Sequence, residues 1–151
     1  MSETIESTGP ISNRILAALS VKAYQIMLPK MQRITLVFAE HIYQPAGIIR
    51  QVYFPESGII SVLSVVGANS ALEVGIVGNE GMVGLPLFLG VKTSNILALV
   101  QGAGCRFADV GGRFSRRMRS QPGIAATSAA LYTFAYDTNV AISGLQSFSS
   151  N

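Results

Sequence analysis

The apolar residues change period twice along the chain. From residue 12 to residue 28 the period is helical. Ile15, Leu16 and Leu19 share one face of a 3.6-residue repeat, and Tyr24, Met27 and Leu28 share a second. Ser12 and Ser20 are the predicted N-caps, because a serine hydroxyl accepts from the free amides of a first turn. Pro29 ends the second helix. Residues 1–10 are polar and carry no period, so they are predicted to be a flexible tail.

From residue 34 the period becomes two. Strands are expected over 34–38, 50–54, 59–66, 71–77, 96–101 and 106–110, with a turn and a short strand over 39–43. Pro45 and Gly47, Pro55 and Gly58, and Gly67 mark turns, and Gly102-Ala-Gly104 breaks the last two strands apart. Val52, Phe54, Ile60, Val62, Val74, Ile76 and Phe107 are the expected core. Short strands at this spacing indicate an all-β sandwich or barrel between helices.

The segment Gly75 to Gly90 departs from this pattern, with five glycines in sixteen residues. Gly78-Asn-Glu-Gly81 reads as a tight turn, and 82–89 as one or two helical turns. A strand, a glycine-rich turn and a helix start set several backbone N–H groups side by side, which can cradle a phosphate. The same residues also make a plain turn with no ligand.

Beyond residue 110 the period is helical again. Phe114 and Met118 pack inward, while Arg113, Arg116, Arg117 and Arg119 form a solvated face. No aromatic or lysine interleaving accompanies them, so a nucleic-acid patch is not indicated. A long helix is expected over 122–151, with Pro122 in its first turn. Ile124, Leu131, Phe134, Leu145 and Phe148 stripe it at near-heptad spacing. Such a helix needs a partner surface, either its own β domain or the same helix of a second subunit.

Composition narrows the class. The 151 residues make one domain, and 49% hydrophobic against 13% charged leaves an extra apolar face to cover. A net charge of +3 is too small to signal nucleic acid. Cys105 is the single cysteine, which excludes an intrachain disulfide, fits a reducing cytoplasm and predicts a buried, inert thiol. The N-terminus has neither the basic nor the apolar region of a secretion signal. The apolar run over 59–68 is too short to span a membrane. His41, the one histidine, reads as a solvated turn residue beside Glu40, and a cupin-like metalloenzyme, whose centre takes two or three histidines and a carboxylate, is only a remote alternative. No G-x-S-x-G elbow is present. No enzyme activity and no cofactor are implied.

Four runs, Tyr43-Gln-Pro-Ala-Gly47, Val52-Tyr-Phe-Pro-Glu-Ser-Gly58, Val74 to Gly81 and Met82 to Gly90, occur in this order. Together they resemble the sensor domain of Crp–Fnr family bacterial transcription regulators, over about residues 11–146. The resemblance implies an α+β fold: a double-stranded β-helix jelly-roll, cyclic-nucleotide-binding-like, over 11–121. N-terminal helices would flank it, and residues 122–151 would form a homodimerisation helix. It implies a phosphate cassette made of Gly81, Met82, Val83, Gly84, Lys92, Thr93 and Ser94. In nucleotide-binding members a Gly-Glu-Leu-Ala-like turn opens the cassette, and its Glu holds the ribose. An Arg-Ser/Thr-Ala about ten residues later pairs with the cyclic phosphate. Here Met82 stands where that Glu belongs, and no arginine follows. Lys92 is the only cation nearby, and a lysine does not reproduce an arginine fork. The expectation is a cytoplasmic regulatory domain that responds to an unknown small-molecule effector, or only dimerises, and does not hold cAMP or cGMP in the family's way. The alternative is a genuine nucleotide site made from backbone amides and Lys92. DNA would be reached only through a helix-turn-helix absent from these residues.

Overall fold

The computed structural model describes residues 12–88, 92–93 and 96–109. Two short helices come first, α1 (Arg14–Ala17) and α2 (Val21–Met27), and a 3-10 turn over Leu28–Lys30 carries Pro29. Seven strands follow: β1 (Met31–Leu36), β2 (His41–Tyr43), β3 (Val52–Pro55), β4 (Ile59–Val65), β5 (Ala71–Val77), β6 (Ile96–Gly102) and β7 (Gly104–Asp109). A single-turn helix, α3 (Leu85–Phe88), sits between β5 and β6. All pairings are antiparallel, in a three-stranded sheet β1-β7-β3 and a four-stranded sheet β2-β6-β4-β5. The expected tail over 1–10, the arginine face over 113–119, the helix over 122–151 with its Ile124, Leu131, Phe134, Leu145 and Phe148 stripe, and Ser94 lie outside the described residues.

The apolar residues divide into two cores rather than one. Leu36, Ile60, Val62, Val77, Val83, Ala98 and Val100 fill the space between the sheets. Val52, Phe54 and Phe107 point the other way, off the three-stranded sheet, and meet Ile15, Leu16, Leu19, Ala23 and Met27 of the N-terminal helices. This sheet is therefore covered on both faces, which is why β3 reads as an unbroken apolar run, Val-Tyr-Phe-Pro. Each large side chain buried in this way stabilises the fold by about 1.5–3 kcal/mol.

Two expectations are corrected. Ile76 is 55% exposed, and the neighbouring Val77 is buried instead. Residues directly opposite in an antiparallel pair share a face. Val77 lies opposite Ile60 and Gly75 opposite Val62, which puts Ile76 outside. The register then slips between Val62 and Leu63, and Val74 is the extra residue. That bulge turns Val74 back against the inner core although Ile76, two residues on, points to solvent.

The first helix is capped by Asn13 and not by Ser12. Asn13 is fully buried, and its Oδ1 accepts from the amides of Ile15 and Leu16, both at 3.1 Å. Its Nδ2 donates to the carbonyls of Pro55 at 2.8 Å and Gly81 at 3.0 Å. A serine hydroxyl has one proton and could not fill all four contacts. Ser12 contributes only its carbonyl, which accepts from the Asn79 side chain at 3.1 Å. Ser20 does cap α2, accepting from the Ala23 amide.

Asn13→Ala removes the cap and strands two buried carbonyls, so it should destabilise the domain by about 2–4 kcal/mol, read from urea unfolding. Ser12→Ala should stay within about 0.5 kcal/mol. In the same assay Val77→Asp should cost several times more than Ile76→Asp, because only the first buries an unpaired charge.

Candidate functional site

The glycine-rich segment packs on the inner core through Val83, and its backbone is largely committed. The Gly81 amide donates to the Gly78 carbonyl at 3.3 Å, and the Val83 amide to the Tyr53 carbonyl at 2.9–2.8 Å in a reciprocal bridge. The Gly78 amide donates to Oε1 of Glu80 at 2.8 Å. Of the cassette amides of Gly81, Met82 and Val83, those of Gly81 and Val83 are thus already used within the chain. A carboxylate also sits beside the turn, where it repels a second anion. Met82 turns away from the space between the sheets and packs with the N-terminal helices, while Val83 faces the inner core. Lys92 and Thr93 are exposed. The Lys92 carbonyl accepts from Ile49, and Thr93 bridges Ile48. The structure thus holds Gly81 to Gly84 together as a wall and leaves Lys92 and Thr93 at the surface.

Gly84 is required where it stands. Its φ is +106°, and a Cβ there would lie 2.6 Å from the Tyr43 hydroxyl and 2.9 Å from the Gln51 carbonyl. That contact lets the Tyr43 hydroxyl reach in and donate to the Gln51 carbonyl, with the Val83 carbonyl 3.4 Å away. Burial pushes the Tyr43 hydroxyl well above its ordinary range, Tyr53 pushes it further, and Arg106 partly opposes both. The Tyr53 hydroxyl is also raised by burial, again partly offset by Arg106. The two rings are tilted at 47° with centroids 5.8 Å apart.

The polar centre of this interior is a residue that the pattern of the sequence does not single out. Arg106 lies on β7, level with Ile34 of β1 and Pro55 of β3. Its strand neighbour Phe107 points to the helices, so Arg106 points between the sheets. The side chain is 5% exposed. Its Cζ lies 4.3 Å from the Tyr53 ring centroid, a cation–π contact. Its Nη2 donates to Oε1 of Glu40 at 3.3 Å. Glu40 sits in the β1–β2 connection, clamped to β6 by Ala39 N–H to Val100 O and Val100 N–H to Glu40 O, both 2.9 Å. The signal in the sequence is an arginine at an inward position of an otherwise apolar strand. Alternation would show it once the register is known.

A second polar group lies on the opposite face of β7. Cys105 is half-buried rather than buried, with its sulfur 3.3 Å from Arg33 Nη2 and 3.5 Å from the Ser57 hydroxyl. Arg33 also pairs with Glu56 at 2.7 Å. His41 opens β2 and is exposed rather than lying in a turn.

No family model and no curated protein matches the chain. Solved structures do. The N-terminal domain of a transcriptional regulator from Streptomyces coelicolor superposes with a TM-score of 0.64 at 12% identity, over 85% of this chain and 89% of that one. The sensor domain of the transcriptional regulator DNR from Pseudomonas aeruginosa gives 0.65 at 13% identity, over 82% and 83%. The described residues have the fold of a cyclic-nucleotide-binding-like sensor domain. The Thermus thermophilus catabolite activator protein gives 0.65 at 16% identity, over 79% of this chain and 56% of that one, so the sensor-domain fold here spans just over half of that protein's length. At these identities the likeness is one of fold. Among the described residues no helix is long and apolar enough to cross a membrane.

The raised tyrosines give this sensor-like interior a pH dependence. The folded chain holds both phenolic protons more tightly than the unfolded chain. Their contribution is therefore complete below pH about 10 and is lost as pH rises from there through the folded-state values. Unfolding free energy should fall above pH about 10 with a slope approaching 1.4 kcal/mol per pH unit for each tyrosine. Tyr43→Phe should flatten that slope in urea titrations between pH 9 and 11.5, values chosen to bracket an ordinary tyrosine at about 10.

Proposed function

We propose that this chain is the effector-sensing, non-enzymatic domain of a Crp–Fnr type transcription regulator, and that it takes its effector between the two sheets. The observation that carries the reading is a charged group, Arg106, placed inside the two-sheet fold that sensor domains of regulators share. Ligand sites in folds of this kind lie in the mouth between sheets, with a few polar groups set in apolar walls. Here the glycine-rich wall over 81–84 closes one side of that mouth, and Glu40 stands at its rim.

The reading does not extend to cAMP or cGMP held in the family's way. Between Gly78 and Asn95 the only basic residue is Lys92, and it is exposed. Met82 occupies the glutamate's place in the sequence but packs against the helices. Arg106 is not an arginine of the cassette, because it lies on β7 and not on the glycine-rich segment. Isothermal calorimetry with cAMP and cGMP should therefore give no dissociation constant below about 0.1 mM. A micromolar constant that weakens in Lys92→Ala would replace this reading with the alternative in which backbone amides and Lys92 hold the nucleotide.

In the same proposal the chain acts in the cytoplasm as a homodimer joined through the stripe Ile124, Leu131, Phe134, Leu145 and Phe148, and DNA is reached through a helix-turn-helix outside these residues. The support is the near-heptad spacing of the stripe and the low charge of the chain. Leu131→Glu would set two like charges near the seam and should shift sedimentation from dimer to monomer. A wild-type monomer at roughly tens of micromolar would leave the helix to pack on its own domain.

A further inference from the structure

Among the described residues, Arg106 alone has buried side-chain nitrogens without an acceptor, and it has two of them, Nε and Nη1. A guanidinium carries five N–H bonds, three of which are on these two atoms. Its one hydrogen-bonded partner, Glu40, offers a single oxygen at 3.3 Å. That carboxylate side chain is 36% exposed, against 5% for Arg106. Removing an arginine from water costs several kcal/mol, and buried arginines recover it through short, forked contacts to an acid. The contact here is neither short nor forked. The ring of Tyr53 lies over the guanidinium at 4.3 Å and offers no acceptor to its edge, where the N–H bonds point.

We propose that Arg106 is the anchor for a small organic anion, whose carboxylate or phosphate oxygens take Nη2 together with Nε or Nη1, and whose uncharged part lies against the half-buried Tyr43 and Tyr53 at the edge of the inner core. The inference rests on the sensor reading and names the chemical class of its ligand. Glu40 is the counter-ion of the guanidinium. Its other oxygen, Oε2, is held by the Val37 amide at 3.3 Å, and its backbone is clamped to β6. An incoming anion therefore displaces only a side chain at the rim and needs no change in the sheet. The site is separate from the glycine-rich cassette, whose amides and lysine do not take part in it. The apolar surface beside it is aromatic, the half-buried Tyr43 and Tyr53 packed on the inner core. Binding should favour an anion with an apolar body over a bare ion, because apolar area leaves water along with the charge.

The test follows the Nε–H resonance of Arg106 in the 15N-labelled full chain during titration with inorganic phosphate, phenyl phosphate and benzoate at constant ionic strength. The resonance is assigned by its loss in Arg106→Met. The expected result is a saturable shift with phenyl phosphate or benzoate, and a weaker one with inorganic phosphate. Which of the two aromatic probes binds better separates a phosphate ligand from a carboxylate. Arg106→Met should weaken the better probe at least ~10-fold by calorimetry. Glu40→Gln removes the competing charge and should tighten it by about 3–5-fold. If Arg106→Met does not fold, Arg106→Lys assigns the resonance, and the wild-type titration and Glu40→Gln decide the question between them. No movement of the Nε–H signal with any probe at roughly tens of millimolar, unchanged affinity in folded Arg106→Met, or weaker binding in Glu40→Gln would each overturn the proposal. Hydrogen exchange on the same samples separates it from the sensor reading. Binding at Arg106 with no change in exchange outside the inner core keeps the anion site and defeats the sensor reading. Absence of binding defeats the anion site and leaves the sensor reading to a different class of ligand.

Discussion

Asn13 ties together three parts of the chain that are far apart in sequence. Its side chain starts the first helix, holds the end of β3 at Pro55 and holds the glycine-rich turn at Gly81. A second pair of bonds runs alongside, from the Arg14 amide to the Asn79 carbonyl and from the Asn79 side chain to the Ser12 carbonyl. With every donor and acceptor of a fully buried amide in use, the group contributes order as well as energy. The outer core depends on it, because Leu16, Met27, Phe54, Met82 and Phe107 meet only if helix, sheet and turn are held in this relation. The same bonds pull Met82 toward the helices and leave Val83 facing inward. They therefore decide what the glycine-rich segment shows to the space between the sheets.

That space is apolar, with one charged group in it. The contrast with a phosphate cassette is physical rather than a matter of motif. A cassette presents free amides and an arginine on the segment itself. Here the amides of Gly78, Gly81 and Val83 are already bonded, and the arginine comes from the facing sheet. A cation placed there sees a low dielectric, a tyrosine face and one carboxylate at the rim. The two tyrosines form the connection between this cation and the glycine-rich wall, through the Tyr43 hydroxyl and the carbonyl of Val83.

Single elements were legible in the residues to different degrees. β5 falls where alternation and its flanking turns put it, Ala71–Val77, and Ser20 caps α2 as its hydroxyl and position suggest. β1 starts at Met31, earlier than its most regular stretch, because pairing of Met31 with Asp109 extends the ladder past the local signal. The expected core set was right about burial for Val52, Phe54, Ile60, Val62 and Phe107, yet it merged two cores into one. Alternation distinguishes one face of a strand from the other. It does not say that both faces of β3 and β7 are covered.

The sequence by itself determined the local matters. These are the helices before the strands, the turns at Pro and Gly, the β-rich class, and the missing arginine and glutamate of a nucleotide cassette. They follow from side-chain period, from the φ freedom of glycine and proline's lack of it, and from which charges are present at all. Tertiary structure alone decided three others: that Asn13 rather than Ser12 is the cap, that a bulge at Val74 puts Ile76 in solvent, and that Arg106 points between the sheets with two nitrogens unfilled. The first and third depend on partners dozens of residues away, 42 and 68 for Asn13 and 66 for Arg106, and the second on the register between β4 and β5. Contacts at that separation leave no period in the sequence, because they are chosen by how whole sheets pack and not by the residues beside them.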